Sequence, residues 1–508
     1  MVILSLNPIY FSYFFKVVFQ NEQISFDNQL IERNKEAHAF LQNFIKDKVI
    51  YGINTGLGPM AQYRVDDKDQ VKLQKNLIRS HAAGVGKHMP KEMVKGAMFC
   101  RLVSLSRGYS GVSLQTLETL KEFINHNIIP VVSQHGGVGA SGDLVQLSQI
   151  ALCLIGEGKV YYEDKLQNTK DVLNQLNIKP LEITLREGLA LINGTSFMTS
   201  VGVLNILNAQ KALNSTLLNG CLINEVVESF DDHFSIELNQ VKKHATQQYI
   251  ANEMQAILKD SKLISKREET YYNSKYENEN IFKKKVQEYY SIRCMPQVLG
   301  PIYKTISEAE EVLLDELNSV SDNPIIDIEN QNIYHGGNFH GDFVSCEMSK
   351  LKNVMIKMSV LVERQLNFML NHKLNEIFAP FLNAGVLGLN LGLQGAQYAA
   401  TSTTAENQNL SSSVYVHSIP SNNDNQDLVS MGTNEALLTN KVIQNTFDVI
   451  AVLSLSLCQA CNIQQNHKNL SSKTRKHIET IGKDVPFIKE DVEIRPLLES
   501  IVKQLKLN

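Results

Sequence analysis

Apolar side chains in residues 346–378 return at three- and four-residue steps, at Met348, Leu351, Val354, Met355, Met358, Leu361, Leu366 and Met369. That rhythm marks one face of an α-helix sustained over most of the segment. Such a helix exceeds the usual ~11–12 residues and needs its apolar stripe covered, which points to a bundle of long helices or an oligomer core. Residues 197–229 and 440–466 repeat the pattern, strand signals are scarce, and no internal repeat is found. The predicted fold is therefore mainly α. At 508 residues the chain exceeds one ordinary core. Composition shifts near residue 200, which predicts a loop-rich region over 1–200 and a long-helix bundle over 201–508.

Charge and cysteine content narrow the function. Lys and Arg total 49 against 53 Asp and Glu, and no basic cluster stands out, so nucleic acid is not an expected partner. Seven scattered cysteines give no disulfide framework. Cys458 and Cys461 share a face of an apolar helix and read as packing groups, with no second pair to complete a zinc site. The apolar start, MVILSLNPIYFSYFF, is broken by Asn7 and Pro8 and lacks a basic leader. It is too short to span a membrane and reads as an element packed on its neighbours. The expectation is a cytoplasmic protein with no membrane association and no metal; HExxH and paired CxxC sites are both missing.

Chemistry is sought in the irregular stretches 51–61, 133–143, 192–196, 321–342 and 417–432, with the polar tract 258–285 read as a solvated loop or lid. The tripeptide Ala140-Ser141-Gly142 lies in GGVGASGDL. By chance such a tripeptide occurs in roughly one chain in seven of this length, so its surroundings must carry the argument. Gly136, Gly137, Gly139 and Gly142 permit positive φ, and a helical pattern begins at Asp143, a plausible cap. Two readings stand side by side: a Gly-rich turn ahead of a helix, open to an anion, or a tripeptide whose Gly142 nitrogen closes on the Ala140 carbonyl while Ser141 loses water. Gln287, Tyr290 and Arg293 fall at three-residue steps, so a helix would turn all three toward one cavity, and an Arg there suits a carboxylate. Tyr51 opens YGINTGLG, a glycine-rich loop. A Tyr base needs nearby positive charge or donated hydrogen bonds. Read alone, Tyr51 is better explained as a packed loop residue.

GGVGASGDL resembles the cofactor-forming motif of the histidine/phenylalanine/tyrosine ammonia-lyase family. VIYGINTGLGPMA, LQKNLIRSHAAGVG, GLALINGTS, VQEYYSIRCMPQ, SDNPI, GGNFHGD and the stretch through Glu406 resemble its other motifs in the same order, from about Lys16 to the end. The resemblance implies a fumarase/aspartase-like long-helix fold, a homotetramer whose sites draw on three subunits, and a 4-methylidene-imidazole-5-one (MIO) electrophile formed from Ala140, Ser141 and Gly142. It implies Tyr51 as the base for the β-proton, Arg293 on the substrate carboxylate, Tyr290 beside the electrophile and Asn193 orienting its oxygen. Asn323, Phe339 and Gln426 would line the pocket, and Glu406 would lie near the substrate amine. The implied reaction releases ammonia from an L-amino acid and leaves a trans-α,β-unsaturated acid. Leu57 departs from the family's usual Phe, and Val145-Gln146 from its Ala-Pro or Ser-Pro.

Two segments speak to the substrate. Ser80-His81 falls where, by the resemblance, the family reads the substrate ring, and the pair is typical of its histidine enzymes. Asn425-Gln426-Asp427-Leu428 departs from the histidine pattern, and with SHAAGVG it resembles bacterial tyrosine ammonia-lyases. An imidazole can hydrogen-bond a phenol as well as another imidazole. The balance falls to L-tyrosine and trans-p-coumarate, with histidine to urocanate, or an aminomutase, as the alternatives. A catalytically silent helical assembly protein is the rival of another class.

Overall fold

The computed structural model describes residues 1–46, 48–273, 280–282 and 285–507. It is mainly helical, with short two- and three-stranded sheets. The chain forms two compact units. The first comprises Met1–Asn205, Ala309–Ser349 and Ser413–Leu437, and the second Ile206–Glu308, Lys350–Ser412 and Leu438–Asn508. The first passage between them thus falls close to the composition shift near residue 200, and two later segments return to the first unit.

The first unit is organised around the helix Lys91–Ser106, in which every residue from Met93 to Ser106 is buried. A helix buried on all faces, here with Lys95 and Arg101 among its buried side chains, is a core element. Gly96 lets its neighbours close in, since a Cβ there would lie 2.2 Å from Ser200 Oγ and 2.5 Å from Phe14 Cζ. The N-terminal segment packs as expected. Val2–Leu4 pairs in parallel with Ile24–Phe26, and the helix Phe11–Phe19 buries Phe11, Phe14, Val17 and Val18. Phe14 meets Phe99 edge-on at 6.1 Å. Around this core lie the helices Gln70–His81, Leu144–Leu154 and Glu187–Ile192, and the antiparallel hairpin Ile325–Asp327 with Asn332–Tyr334.

The second unit holds most of the long helices Ser196–Val226, Asp342–Leu370 and Gly432–Gln464, whose first turns belong to the first unit. The expected helix over 346–378 stops at Leu370. Asn371 leaves the helical region at φ −99° and ψ 99°, and its side chain accepts from the Lys373 N–H to start a new short helix. Gly432–Gln464 has the length and hydropathy of a membrane span, but 83% of its apolar stretch is buried within the protein. Cys458 and Cys461 lie buried in it, and burial pushes the Cys458 thiol up to about 12. Of the polar tract 258–285, residues 274–279, 283 and 284 lie outside the described residues, and Glu268–Tyr272 forms a single π-helical turn.

Candidate functional site

Gly139 and Gly142 pair across a tight turn whose central residues are Ala140 and Ser141. Gly139, Ser141 and Gly142 have φ of +80°, +51° and +78°. A serine in that region is held there by its surroundings rather than by preference. The clamp is Gly194. Its N–H donates to the Ser141 carbonyl at 3.1 Å, and its carbonyl accepts from the Asp143 N–H at 2.8 Å. A Cβ on Gly142 would lie 2.1 Å from that carbonyl oxygen, so only glycine fits.

Asp143 precedes the helix Leu144–Leu154, but its side chain does not cap that helix. It caps another: the carboxylate accepts from the N–H groups of Phe197 and Met198 at 2.8 and 2.9 Å, at the start of Ser196–Val226, and from Thr433 Oγ1. The expected cap is thus real but serves a helix remote in sequence, because the turn aims Asp143 away from its own N–H groups. Burial pushes this carboxyl up to about 6, against those hydrogen bonds.

Behind the turn lies a buried polar frame. Arg186 pairs bidentately with Asp322, both bonds 2.9 Å and both side chains fully buried. Burial alone would raise the Asp322 carboxyl, but Arg186 outweighs it and holds it below the ordinary range. Asn193 Nδ2 donates to Asp322 Oδ1 at 3.0 Å and to the Asn323 carbonyl at 3.2 Å, and Asn323 Oδ1 accepts from the Gly336 N–H at 2.8 Å.

A cavity of about 320 Å³ opens over the turn, lined by Ala140 and Ser141 together with Tyr51, Asn193, Asn323, Phe339 and Gln426. Seven sequence-predicted positions in and around the tripeptide thus meet in one space, of a size suited to a small ligand. The Tyr51 phenol oxygen accepts from the Gly58 N–H at 3.1 Å, which tethers the ring to its own loop. Gln426 Nε2 donates to Ser141 Oγ at 3.4 Å. Leu189, His340 and Asn422 also line the cavity and were not singled out from sequence, whereas Asn425, from the segment that bears on the substrate, lines it as well. His340 could have been, from its place beside Phe339 in GGNFHGD; Asp342 and the Leu428 carbonyl hold its ring at 2.7 and 3.2 Å. Ser80 and His81 end the helix Gln70–His81, joined to each other at 3.0 Å, and are not among the lining residues.

The remaining predicted residues lie in the second unit. Only Tyr290–Arg293 is helical there, so Gln287 does not share a helix face with Tyr290 and Arg293 as the three-residue spacing predicts. The trio gathers by another route. Arg293 Nη1 donates to Gln287 Oε1 and, at 3.1 Å, to the Glu288 carbonyl, and its guanidinium lies 4.8 Å from the centre of the Tyr290 ring. They line a cavity of about 600 Å³ with Arg364 and Phe368. Glu406 stands on the helix Gln394–Asn409 and accepts from Asn445 at 2.7 Å and Lys441 at 3.3 Å, which holds its carboxyl below the ordinary range. Among the described residues no group of three or more His, Cys, Asp or Glu side chains gathers as a metal cage.

Comparison with known proteins places these features in context. Residues 11–483 match the family model described as aromatic amino acid lyase. A tyrosine 2,3-aminomutase of Chondromyces crocatus is 35% identical over 96% of this chain and 92% of its own length. A histidine ammonia-lyase of Halalkalibacterium halodurans is 34% identical over 97% of this chain and 93% of its own. The solved structure of the Pantoea agglomerans phenylalanine aminomutase superposes with a TM-score of 0.96 at 31% identity, covering 100% of this chain and 99% of the other.

Proposed function

The chain belongs to the aromatic amino acid lyase family and is a carbon–nitrogen lyase, and from that premise we propose that it eliminates ammonia from L-tyrosine to give trans-p-coumarate, at a site built on the Ala140-Ser141-Gly142 turn. The observation that carries this reading is the turn itself, held at positive φ on the wall of a cavity that also receives Tyr51. The residues fit a self-made MIO group: the pocket behind Gly142 excludes any Cβ, and Ser141 is bent rather than extended. Such a group supplies a metal-free electrophile for the substrate amine. Its formation releases two waters, one carrying the Ala140 carbonyl oxygen and one the Ser141 hydroxyl.

Each remaining role falls to a residue already placed. Tyr51, on its glycine-rich loop, takes the substrate β-proton. Asn193, fixed by Asp322, orients polar groups at the turn, and Asn323, Phe339 and Gln426 shape the cavity. Arg293, with Gln287 and Tyr290 beside it, grips the substrate carboxylate, since a planar guanidinium suits bidentate binding. Glu406 stands ionised for the substrate amine. These last four residues are delivered by other copies of the chain in a homotetramer, and Ser80-His81 contacts the substrate ring. The enzyme acts in the cytoplasm on a free amino acid.

Similarity to tyrosine and phenylalanine aminomutases supports a second reading, in which ammonia returns to the β-carbon. Histidine is the alternative substrate, on the strength of Ser80-His81. Purified protein is incubated with L-tyrosine and, separately, L-histidine, with ultraviolet absorbance followed and amino-acid products separated. Growth of the p-coumarate band with tyrosine is expected. β-Tyrosine as the main product would replace lyase by mutase, growth with histidine alone would replace the substrate, and no product from either would remove the proposal.

A further inference from the structure

Arg101 is the largest group of the first unit that no role above uses. It lies in the core helix Lys91–Ser106 and is 2% exposed. Its Nε donates to the Ala190 carbonyl at 3.0 Å and Nη2 donates to the same oxygen. Its Nη1 is fully buried and has no hydrogen-bond partner. A buried guanidinium nitrogen left unpaired is costly and calls for an explanation. The nitrogen faces Gly194: a Cβ built there would lie 2.4 Å from Arg101 Nη1 and 2.4 Å from the Ser321 carbonyl oxygen.

Gly194 is the residue that clamps the turn, through Ser141 O and Asp143 N. Its φ is +147°, in a region open to glycine. The peptide is therefore hydrogen-bonded to the turn on one side, while the guanidinium packs against it on the other and leaves no room for a Cβ. The charge matters as well as the bulk. Asp322 is taken up by Arg186, and Thr195 donates to the buried Glu316, whose carboxyl burial raises. Burial pushes Arg101 down only to about 10, so it stays a cation at neutral pH. Its positive charge lies behind Gly194, whose N–H donates to the Ser141 carbonyl, the oxygen on which negative charge would build when the Ser141 Cα–H is removed.

We infer that Arg101 is a positioning residue for maturation of the tripeptide, holding Gly194 against the turn so that Gly142 N can close on the Ala140 carbonyl and Ser141 can lose its hydroxyl. In ring closure the Gly142 N–Ala140 C bond forms, and the Ala140 oxygen leaves as water with the amide hydrogens of Ser141 and Gly142. In dehydration the Ser141 Cα–H and Cβ–O bonds break and a second water leaves. No oxidant or co-reactant is needed. The inference rests on the proposed self-processing.

The test is intact mass, followed over time, on the folded fraction of wild type, Arg101→Lys and Arg101→Met, with circular dichroism and thermal unfolding on the same samples. Wild type is expected fully processed, two waters lighter than its sequence. Arg101→Met is expected folded but at least ten-fold slower to lose water, with Arg101→Lys intermediate because it keeps the charge but not the fork. Should Arg101→Met fail to fold, Arg101→Lys alone decides. Folded variants that process at the wild-type rate, whatever their melting temperature, would overturn the inference. Unprocessed wild type would instead overturn the self-processing on which it rests.

Discussion

The polar groups over the Ala140–Ser141 turn and those around Arg293 are held by opposite means. In the first unit, Arg186, Asp322, Asn193 and Asp143 are each 2% exposed or less, and every contact that fixes them comes from within the unit. In the second, Tyr290 is 73% exposed, and the Glu406 side chain stands half in solvent against an equally exposed Lys441. A buried frame is preorganised and fixes geometry before substrate arrives. An exposed cluster is not, and it gains definition only when something covers it. The contrast supports the proposal that the electrophile is made within one chain and that carboxylate recognition is completed by assembly.

The sharpest way to break that comparison is to damage each region in a separate chain. Ser141→Ala and Arg293→Gln are each expected to lower kcat/KM with L-tyrosine by on the order of 100-fold or more. Coexpressed, they are expected to restore a measurable fraction of the activity, because the proposed tetramer, when mixed, would contain sites with both groups intact. Failure to complement would place both groups in a site served by one chain and remove the distinction.

Stability draws the same line. Asp322→Asn leaves Arg186 charged and buried and is expected to cost about 3–5 kcal/mol in denaturant unfolding. Glu406→Gln, which removes a solvent-screened pair, is expected to leave it essentially unchanged. Equal losses would mean that the two regions are held alike.

Acid should separate them more gently. Burial depresses His233 and His477, both in the second unit, to about 4. Their contribution is present above the ordinary histidine range and is lost as pH falls from about 6.5 toward 4, by up to about 3 kcal/mol each. Asp143 runs the other way. Its folded pKa is raised to about 6, so its contribution is present at acid pH and fades as pH rises through 6. Hydrogen exchange between pH 7 and 4.5 should therefore show the second unit loosening first, and His477→Asn should blunt the effect.

The parts legible in the sequence were those set by local rules. Periodicity located the long helices, since an apolar stripe must be buried wherever the helix ends up. It did not locate the stop at Leu370, because Asn371 also fits a helix face and only its cap to Lys373 reveals the break. Motif order brought Tyr51, Ala140, Ser141, Asn193, Asn323, Phe339 and Gln426 into one reading, and they line one cavity. What local rules could not show was pairing across sequence. Asp143 looked like the cap of its own helix and serves one more than fifty residues on. Arg101 stands in the apolar run MFCRLV, where a charge is costly, and that mismatch was an available signal of a buried charge; Arg186, beside Glu187, gave none.

The central claim is that Ala140, Ser141 and Gly142 make the reactive group, and intact mass of the purified wild type beside Ser141→Ala tests it most directly. The account predicts wild type lighter than its sequence by two waters and Ser141→Ala without the Ser141 dehydration and without activity. A wild-type mass equal to that of the unmodified sequence, in protein that still releases ammonia, would contradict it.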